Sequence, residues 1–265
     1  MSVDVLARPR SRAWLAGANP LAKLGAGMAI TVVLLVSVDW VSATVALALE
    51  CAVLPLAGLG AGMLLRRGWP IVFAAGVGGY GTALLAPKTG ELLLAAGPLT
   101  FTTGSVESGV AIALRGLAIA LPGVIVLAST DPTDLADALA QKLRLPHRFV
   151  LGALAAMRLV GLLVAEWQTL GMARRARGVG GEPGFFSGLK ASLGQAMALL
   201  VQAIRRASRL AVTMEAKGFG AGHRTWARES TFSRRDAWVA GGGLVIAAAA
   251  VGAAVVLGTW NPALG

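Results

Sequence analysis

Residues 237–259 read AWVAGGGLVIAAAAVGAAVVLGT, an apolar run without a charged side chain. Crossing the hydrocarbon core of a bilayer takes about 20 residues of helix, at about 1.5 Å of rise per residue. Lipid offers no water to backbone N–H and C=O groups, so such a run satisfies them internally as a helix. The run is therefore predicted to span a membrane.

Four further runs read the same way, at residues 21–38, 41–65, 69–86 and 106–128. Asn19-Pro20 breaks the chain before the first, and Asp39-Trp40 forms the turn after it. Pro55 is predicted to kink the second run, Arg66-Arg67 to stop it, and Pro87-Lys88 to close the third. Residues 89–105 are predicted to be a loop, with Leu92-Leu93-Leu94 at the interface. Composition agrees: charged residues make up 14% of the chain, against about 25% in soluble domains. The 35 glycines suit close approach of membrane helices.

The net charge of +11 raises nucleic-acid binding as a reading, and the distribution of that charge removes it. Of the 24 Lys and Arg, all but Lys88 and Arg115 lie before or at the start of the first run, between the second and third, or between Lys142 and Arg235. That is the positive-inside bias of a membrane protein. It predicts a cytoplasmic N-terminus, an external C-terminus and a lipid bilayer, with no nucleic acid, as the surroundings. Trp40, Trp69, Trp238 and Trp260 fall at span ends, as interfacial tryptophans do. Arg115, inside the fourth run, is predicted to face the bundle and to pair with Glu107 or Glu50.

The fold is read as all-α and polytopic, with about five transmembrane helices and a cytoplasmic block of three amphipathic helices. The organisation is a cytoplasmic segment at 1–20, four spans at 21–128, the cytoplasmic block at 129–235, and a fifth span with an external C-terminus at 236–265. Within the block, Asp131 caps and Pro132 opens a short helix, with Asp134 completing a capping box and Leu135, Leu139 and Leu143 on one face. A long helix is predicted over 148–177, with Arg158 and Glu166 two turns apart on one face. A glycine-rich break at 178–184 follows. A third helix is predicted over 187–217, striped by Leu189, Leu193, Met197, Leu200 and Ile204.

Both long helices end alike, in Ala176-Arg177-Gly178 and in Ala216-Lys217-Gly218. A cation in the last turn offsets the helix dipole, and glycine leaves the helix with φ > 0. Two equivalent basic tips suggest two equivalent sockets on a partner. No nucleotide-binding loop, catalytic triad, paired carboxylates or metal-binding spacing is present, so no catalytic residue, cofactor or metal is assigned. Cys51 is the only cysteine, and His147 and His223 lack ligand spacing.

With these residues in place, the chain resembles the transmembrane (T) component of energy-coupling factor (ECF) transporters, which include cobalt-transport permeases. The resemblance rests on 19–24 (NPLAKL), 130–135 (TDPTDL) with Leu139 and Leu145-Pro146, Arg158, Glu166, Ala176-Arg177-Gly178 and Glu215-Ala216-Lys217-Gly218-Phe219. It implies a bacterial or archaeal cytoplasmic membrane and two cytoplasmic ABC-type ATPase subunits, which supply the ATP hydrolysis. It also implies a small substrate-binding (S) membrane protein that captures a vitamin or a transition-metal ion. It assigns ATPase coupling to Ala176, Arg177, Gly178, Glu215, Ala216, Lys217 and Gly218, and the face toward the S component to Leu135, Leu139, Leu193, Met197 and Leu200. Lys217 stands where the family usually has arginine, so the second tip keeps the charge without the planar fork. The alternatives are a secondary transporter, a membrane scaffold without ATPase partners, and a conventional ABC permease, whose Glu-Ala-Ala signature Glu215-Ala216-Lys217 half fits.

Overall fold

The computed structural model describes residues 13–37, 39–58, 60–96, 99–178, 185–219, 226 and 228–260. Arg8, Arg10, Arg12, His223, Arg224 and the break at 179–184 lie outside the described residues. The helices are α1 (Pro20–Val36), α2 (Trp40–Val53), α3 (Ala61–Leu85), α4 (Thr103–Ser129), α5 (Pro132–Gln141), α6 (His147–Ala176), α7 (Phe185–Ala216) and α8 (Arg234–Val256). A two-stranded antiparallel hairpin, β1 (Leu92–Ala96) and β2 (Leu99–Thr102), precedes α4. The chain divides into two compact units, residues 10–135 with 231–265, and residues 136–230.

The first unit is the bundle of α1, α2, α3, α4 and α8. Its centre is Ile30, Leu34, Ala46, Ala118, Ala247 and Ala250, with α1 and α2 both packed on α4 and α8. Trp69, Phe73, Val77, Tyr80 and Trp238 are exposed, as side chains meeting lipid are. Small residues set the distances between helices. A Cβ on Gly243 of α8 would lie 2.5 Å from the Cβ of Ala26 on α1. On α3 and α4, a Cβ on Gly109 would lie 2.6 Å from the carbonyl oxygen of Gly79, so these two backbones touch. Gly109→Val is expected to cost about 1–3 kcal/mol and to lower the melting temperature in detergent. Gly123→Val, on the same helix with open space around it, is the control and is expected to melt like the parent.

The second apolar run differs from its sequence reading. It ends in a 3-10 turn, Leu54–Ala57, and Gly58 at φ 71° turns the chain out. The helix terminates there instead of kinking at Pro55 and running on to 65. Residues 61–67 belong to α3, with Arg66-Arg67 inside it. Two arginines bound an apolar span, here Gly68–Leu85, but arginine is a good helix former and does not end a helix. The loop predicted at 89–105 contains the hairpin. Lys88, set apart by the charge count, donates from Nζ to the carbonyls of Ala83 and Leu84, both at 3.0 Å, and so caps the end of α3.

Arg115 donates to the carbonyl oxygen of Leu35 at 2.8 Å and pairs with neither Glu107 nor Glu50 among the described residues. A carbonyl near the end of α1, lacking an intrahelical partner, serves the guanidinium in place of a carboxylate. Glu50 is 2% exposed, and neither carboxylate oxygen has a partner among the described residues. The first turn is built as read: Asp39 accepts from the Ser42 N–H at 2.7 Å and from the Ser37 and Ser42 hydroxyls.

The second unit contains the later part of α5, then α6 and α7. Ala136, Ala140 and Val150 form its small core, with Leu139, Leu154 and Trp226 against them. Gln141 fastens the returning segment, donating to the Arg228 carbonyl and accepting from the Ser230 N–H, both at 2.8 Å. At the start of α5 the Asp131 carboxylate accepts from the Thr133 N–H at 2.7 Å, the cap read from the sequence. Among the described residues, five helices are long and apolar enough to cross a membrane: Trp40–Ala57, Gly68–Leu85, Thr103–Ser129, His147–Ala176 and Arg234–Val256. α6, read in the sequence as a helix of the cytoplasmic block, is among them by length and composition. The first predicted span lies in the shorter α1, Pro20–Val36.

Candidate coupling site

The two long helices of the second unit both end at a glycine of positive φ. At α7 the Gly218 N–H donates to the Glu215 carbonyl and the Phe219 N–H to the Met214 carbonyl, both at 2.9 Å. Gly218 sits at φ 73°. This is a Schellman ending, whose left-handed position glycine fills without a Cβ penalty. At α6 the Gly178 N–H donates to the Arg175 carbonyl at 2.9 Å, with Gly178 at φ 78°. In each case the cation, Arg177 or Lys217, is the last residue before the reversal.

Both cations are exposed, as are Ala176, Gly178, Glu215, Ala216 and Gly218. Among the described residues neither the Arg177 guanidinium nor the Lys217 ammonium has a hydrogen-bond or ion-pair partner. Each tip thus presents a free charge over the negative end of a helix of 30 or 32 residues. Among the described residues, no three His, Cys, Asp or Glu side chains converge on a point where a metal could sit.

α6 and α7 meet in opposite chain directions. A Cβ on Gly194 would lie 3.1 Å from the guanidinium of Arg174, Gln195 Nε2 donates to the Trp167 carbonyl at 2.7 Å, and Arg206 pairs with Glu166. The tips therefore leave the crossing in opposite directions. Lys217 stands 11 residues beyond Arg206, about 16 Å along the helix.

Residues 11–226 match the CbiQ family, described as cobalt transport protein. The chain belongs to the CbiQ family. Relatives of this CbiQ-family chain include three proteins named energy-coupling factor transporter transmembrane protein EcfT. That of Lacticaseibacillus paracasei is 34% identical over 160 residues, covering 57% of this chain and 60% of its own. That of Limosilactobacillus fermentum is 31% identical over 149 residues, covering 53% and 56%. That of Bacillus subtilis is 30% identical over 178 residues, covering 62% and 66%. The chain thus spans less than two thirds of the length of each of these relatives. The family and the names of these relatives agree with the resemblance read in the sequence.

Beside its tips, the CbiQ-family chain carries an uncovered apolar face. Leu193, Met197 and Leu200 on α7 are 59%, 61% and 51% exposed, with Leu189, Val201 and Ile204 exposed beside them. Leu135 and Leu139 on α5 are half-buried instead, and Leu139 packs in the small core of the second unit. The face predicted toward a membrane partner is therefore mainly that of α7.

Sequence reading missed the Glu166–Arg206 pair. It placed Glu166 with Arg158 on one helix face, while Arg158 is exposed and Glu166 reaches across to α7. Helical spacing reports neighbours along one helix and carries no signal for a partner on another. The pair is 42% and 27% exposed at its side chains, so solvent weakens it. Glu166→Gln or Arg206→Gln is expected to cost less than about 1 kcal/mol. A double-mutant cycle of melting temperatures is expected to give a coupling of about 0.5 kcal/mol.

Proposed function

We propose that this chain is the transmembrane coupling subunit of an ATP-driven ECF-type importer for a vitamin or a transition-metal ion. The observation that carries the reading is the pair of exposed cation–glycine tips, built alike and leaving one helix crossing in opposite directions. One cation in one loop would serve one contact; two matched tips suit two copies of one socket. In this reading the N-terminus and the 136–230 unit are cytoplasmic and the C-terminus is external, which the distribution of basic residues supports. α6 stays with α7, to which Glu166 and Trp167 tie it, and does not cross the bilayer.

The chain itself is not an enzyme. Two cytoplasmic ABC-type ATPases take the tips, Arg177 in one and Lys217 in the other. ATP binding draws the ATPases together and changes the angle between α6 and α7. The apolar face of α7, with Leu193, Met197 and Leu200, holds a small substrate-binding membrane protein, assisted by Leu135 and Leu139 of α5. Methionine and leucine, adaptable and apolar, suit a contact that slides as that angle changes. Substrate is then released inward, its identity set by the partner.

A secondary transporter is the second reading, because Glu50, buried and without a partner among the described residues, is the kind of intramembrane acid such proteins use. Uptake separates the two. The chain, two ATPases and a substrate-binding partner are reconstituted in liposomes with radiolabelled substrate. ATP-dependent uptake that needs all components supports coupling; uptake by the chain alone, without ATP, supports secondary transport.

A further inference from the structure

Lys23 lies one turn into α1 and is 3% exposed. Its Nζ donates to the carbonyl oxygen of Ser129 at 2.8 Å and reaches Thr130 Oγ1 at 3.5 Å. Ser129 is the last residue of α4, where helix carbonyls lack intrahelical partners and the dipole is negative. The carboxylates of Asp134, on α5, and Asp236, on α8, act on the same ammonium. Asp236 is itself buried. It accepts from the backbone N–H of Asn19 and from the N–H and hydroxyl of Ser233. Asn19 accepts from the Leu21 N–H at 3.0 Å and donates to the Thr231 carbonyl at 3.3 Å. The five residues from Asn19 to Lys23 thus fasten the start of α1, the end of α4 and the start of α8 together.

This cluster surrounds a short joint. Only Thr130 and Asp131 separate α4 from α5, and Thr130 is extended, at φ −118° and ψ 133°. A joint of two residues swivels about a few backbone dihedrals unless its ends are held. Asp131 fixes the α5 side through its bond from Thr133, and Lys23 fixes the α4 side. Burying an ammonium is costly unless its donors are satisfied. Here the ammonium donates to the Ser129 carbonyl and reaches the Thr130 hydroxyl, both at the joint.

We propose that Lys23 is a positioning residue that stiffens the α4–α5 joint, so that movement of α5 reaches the membrane helices and is not dissipated at Thr130 and Asp131. The proposal rests on the coupling reading above. It adds that the link between ATP hydrolysis and transport passes through a buried cation far in sequence from both tips.

The test is the reconstituted complex of this chain with its ATPases and substrate-binding partner, carrying Lys23→Met, Lys23→Gln or no substitution. Three readouts are taken: assembly, ATP hydrolysis, and substrate imported per ATP. Lys23→Met is expected to assemble and to hydrolyse ATP within about twofold of the parent, while import per ATP falls at least about tenfold. Lys23→Gln keeps a donor for Ser129 without the charge and is expected to fall about threefold; it decides the matter if Lys23→Met does not accumulate. Hydrolysis and import falling in parallel, or import per ATP unchanged, would overturn the positioning role alone. A parent complex that does not import on ATP would overturn the coupling reading, and the proposal with it.

Discussion

The Arg177→Glu, Lys217→Glu double variant is expected to accumulate in the membrane at the level of the parent and to purify without ATPase. Both side chains are exposed and neither has a partner among the described residues, so reversal breaks nothing within the chain. A buried cation at the centre of an interface is typically worth about 2 kcal/mol on truncation. Two tips at that value correspond to about a thousandfold loss of affinity, and reversal adds repulsion from an acidic socket. The glutamates would also face the negative end of each helix, where a carboxylate is unfavourable. The single variants sort the tips. Arg177→Glu is expected to cost more than Lys217→Glu, because arginine makes a bidentate contact and lysine a point contact. Pull-down of ATPase at graded salt measures both.

The second large effect concerns the apolar face of α7. Leu193→Asp with Met197→Asp is expected to release the substrate-binding membrane protein while the ATPases stay bound. Both parent side chains are more than half exposed in this chain, so the folded unit tolerates the change. In a dry interface each new carboxylate would be buried without a partner, at several kcal/mol apiece. Loss of binding by more than about a hundredfold follows. Arg209→Asp, on the same helix and off the stripe, is the control. Retention of the partner by the Leu193→Asp, Met197→Asp variant would mean that another surface holds it.

The long elements were legible because hydropathy and helical period act over whole turns. The helices read at 148–177 and 187–217 stand within two residues of α6 and α7 at either end. The glycines of both tips were readable from the sequence alone, because a helix ending in cation–glycine has few ways to close, and both adopt positive φ. Span ends were less legible. Pro55 was read as a kink because proline interrupts a helix, but the left-handed Gly58 three residues later makes it a terminus. Arg66-Arg67 was read as a stop because charge ends a membrane span, whereas the helix runs through it.

The polar contacts were the least legible part. Arg115 was sought beside a carboxylate and uses a backbone carbonyl, which no residue type announces. Glu166 pairs with Arg206 across two helices. Lys23 stood in the sequence as one of the basic residues at the first span and as part of the 19–24 segment, with no sign that it holds Ser129, 106 positions away. Such bonds depend on tertiary approach, and a single sequence carries no periodic signal for them.

Whether both tips touch ATPase in the assembled complex is the most direct test of the account. Cys51 is the only cysteine, so Cys51→Ser provides a clean background. Ala176→Cys and Ala216→Cys then place one thiol beside each cation without removing the charge, and Thr89→Cys places one on the side read as external. Each thiol is labelled with a photo-crosslinker in membranes containing the ATPases. The account predicts ATPase adducts from positions 176 and 216 and none from position 89. Absence of adducts from both tips, with the complex otherwise assembled, would contradict it.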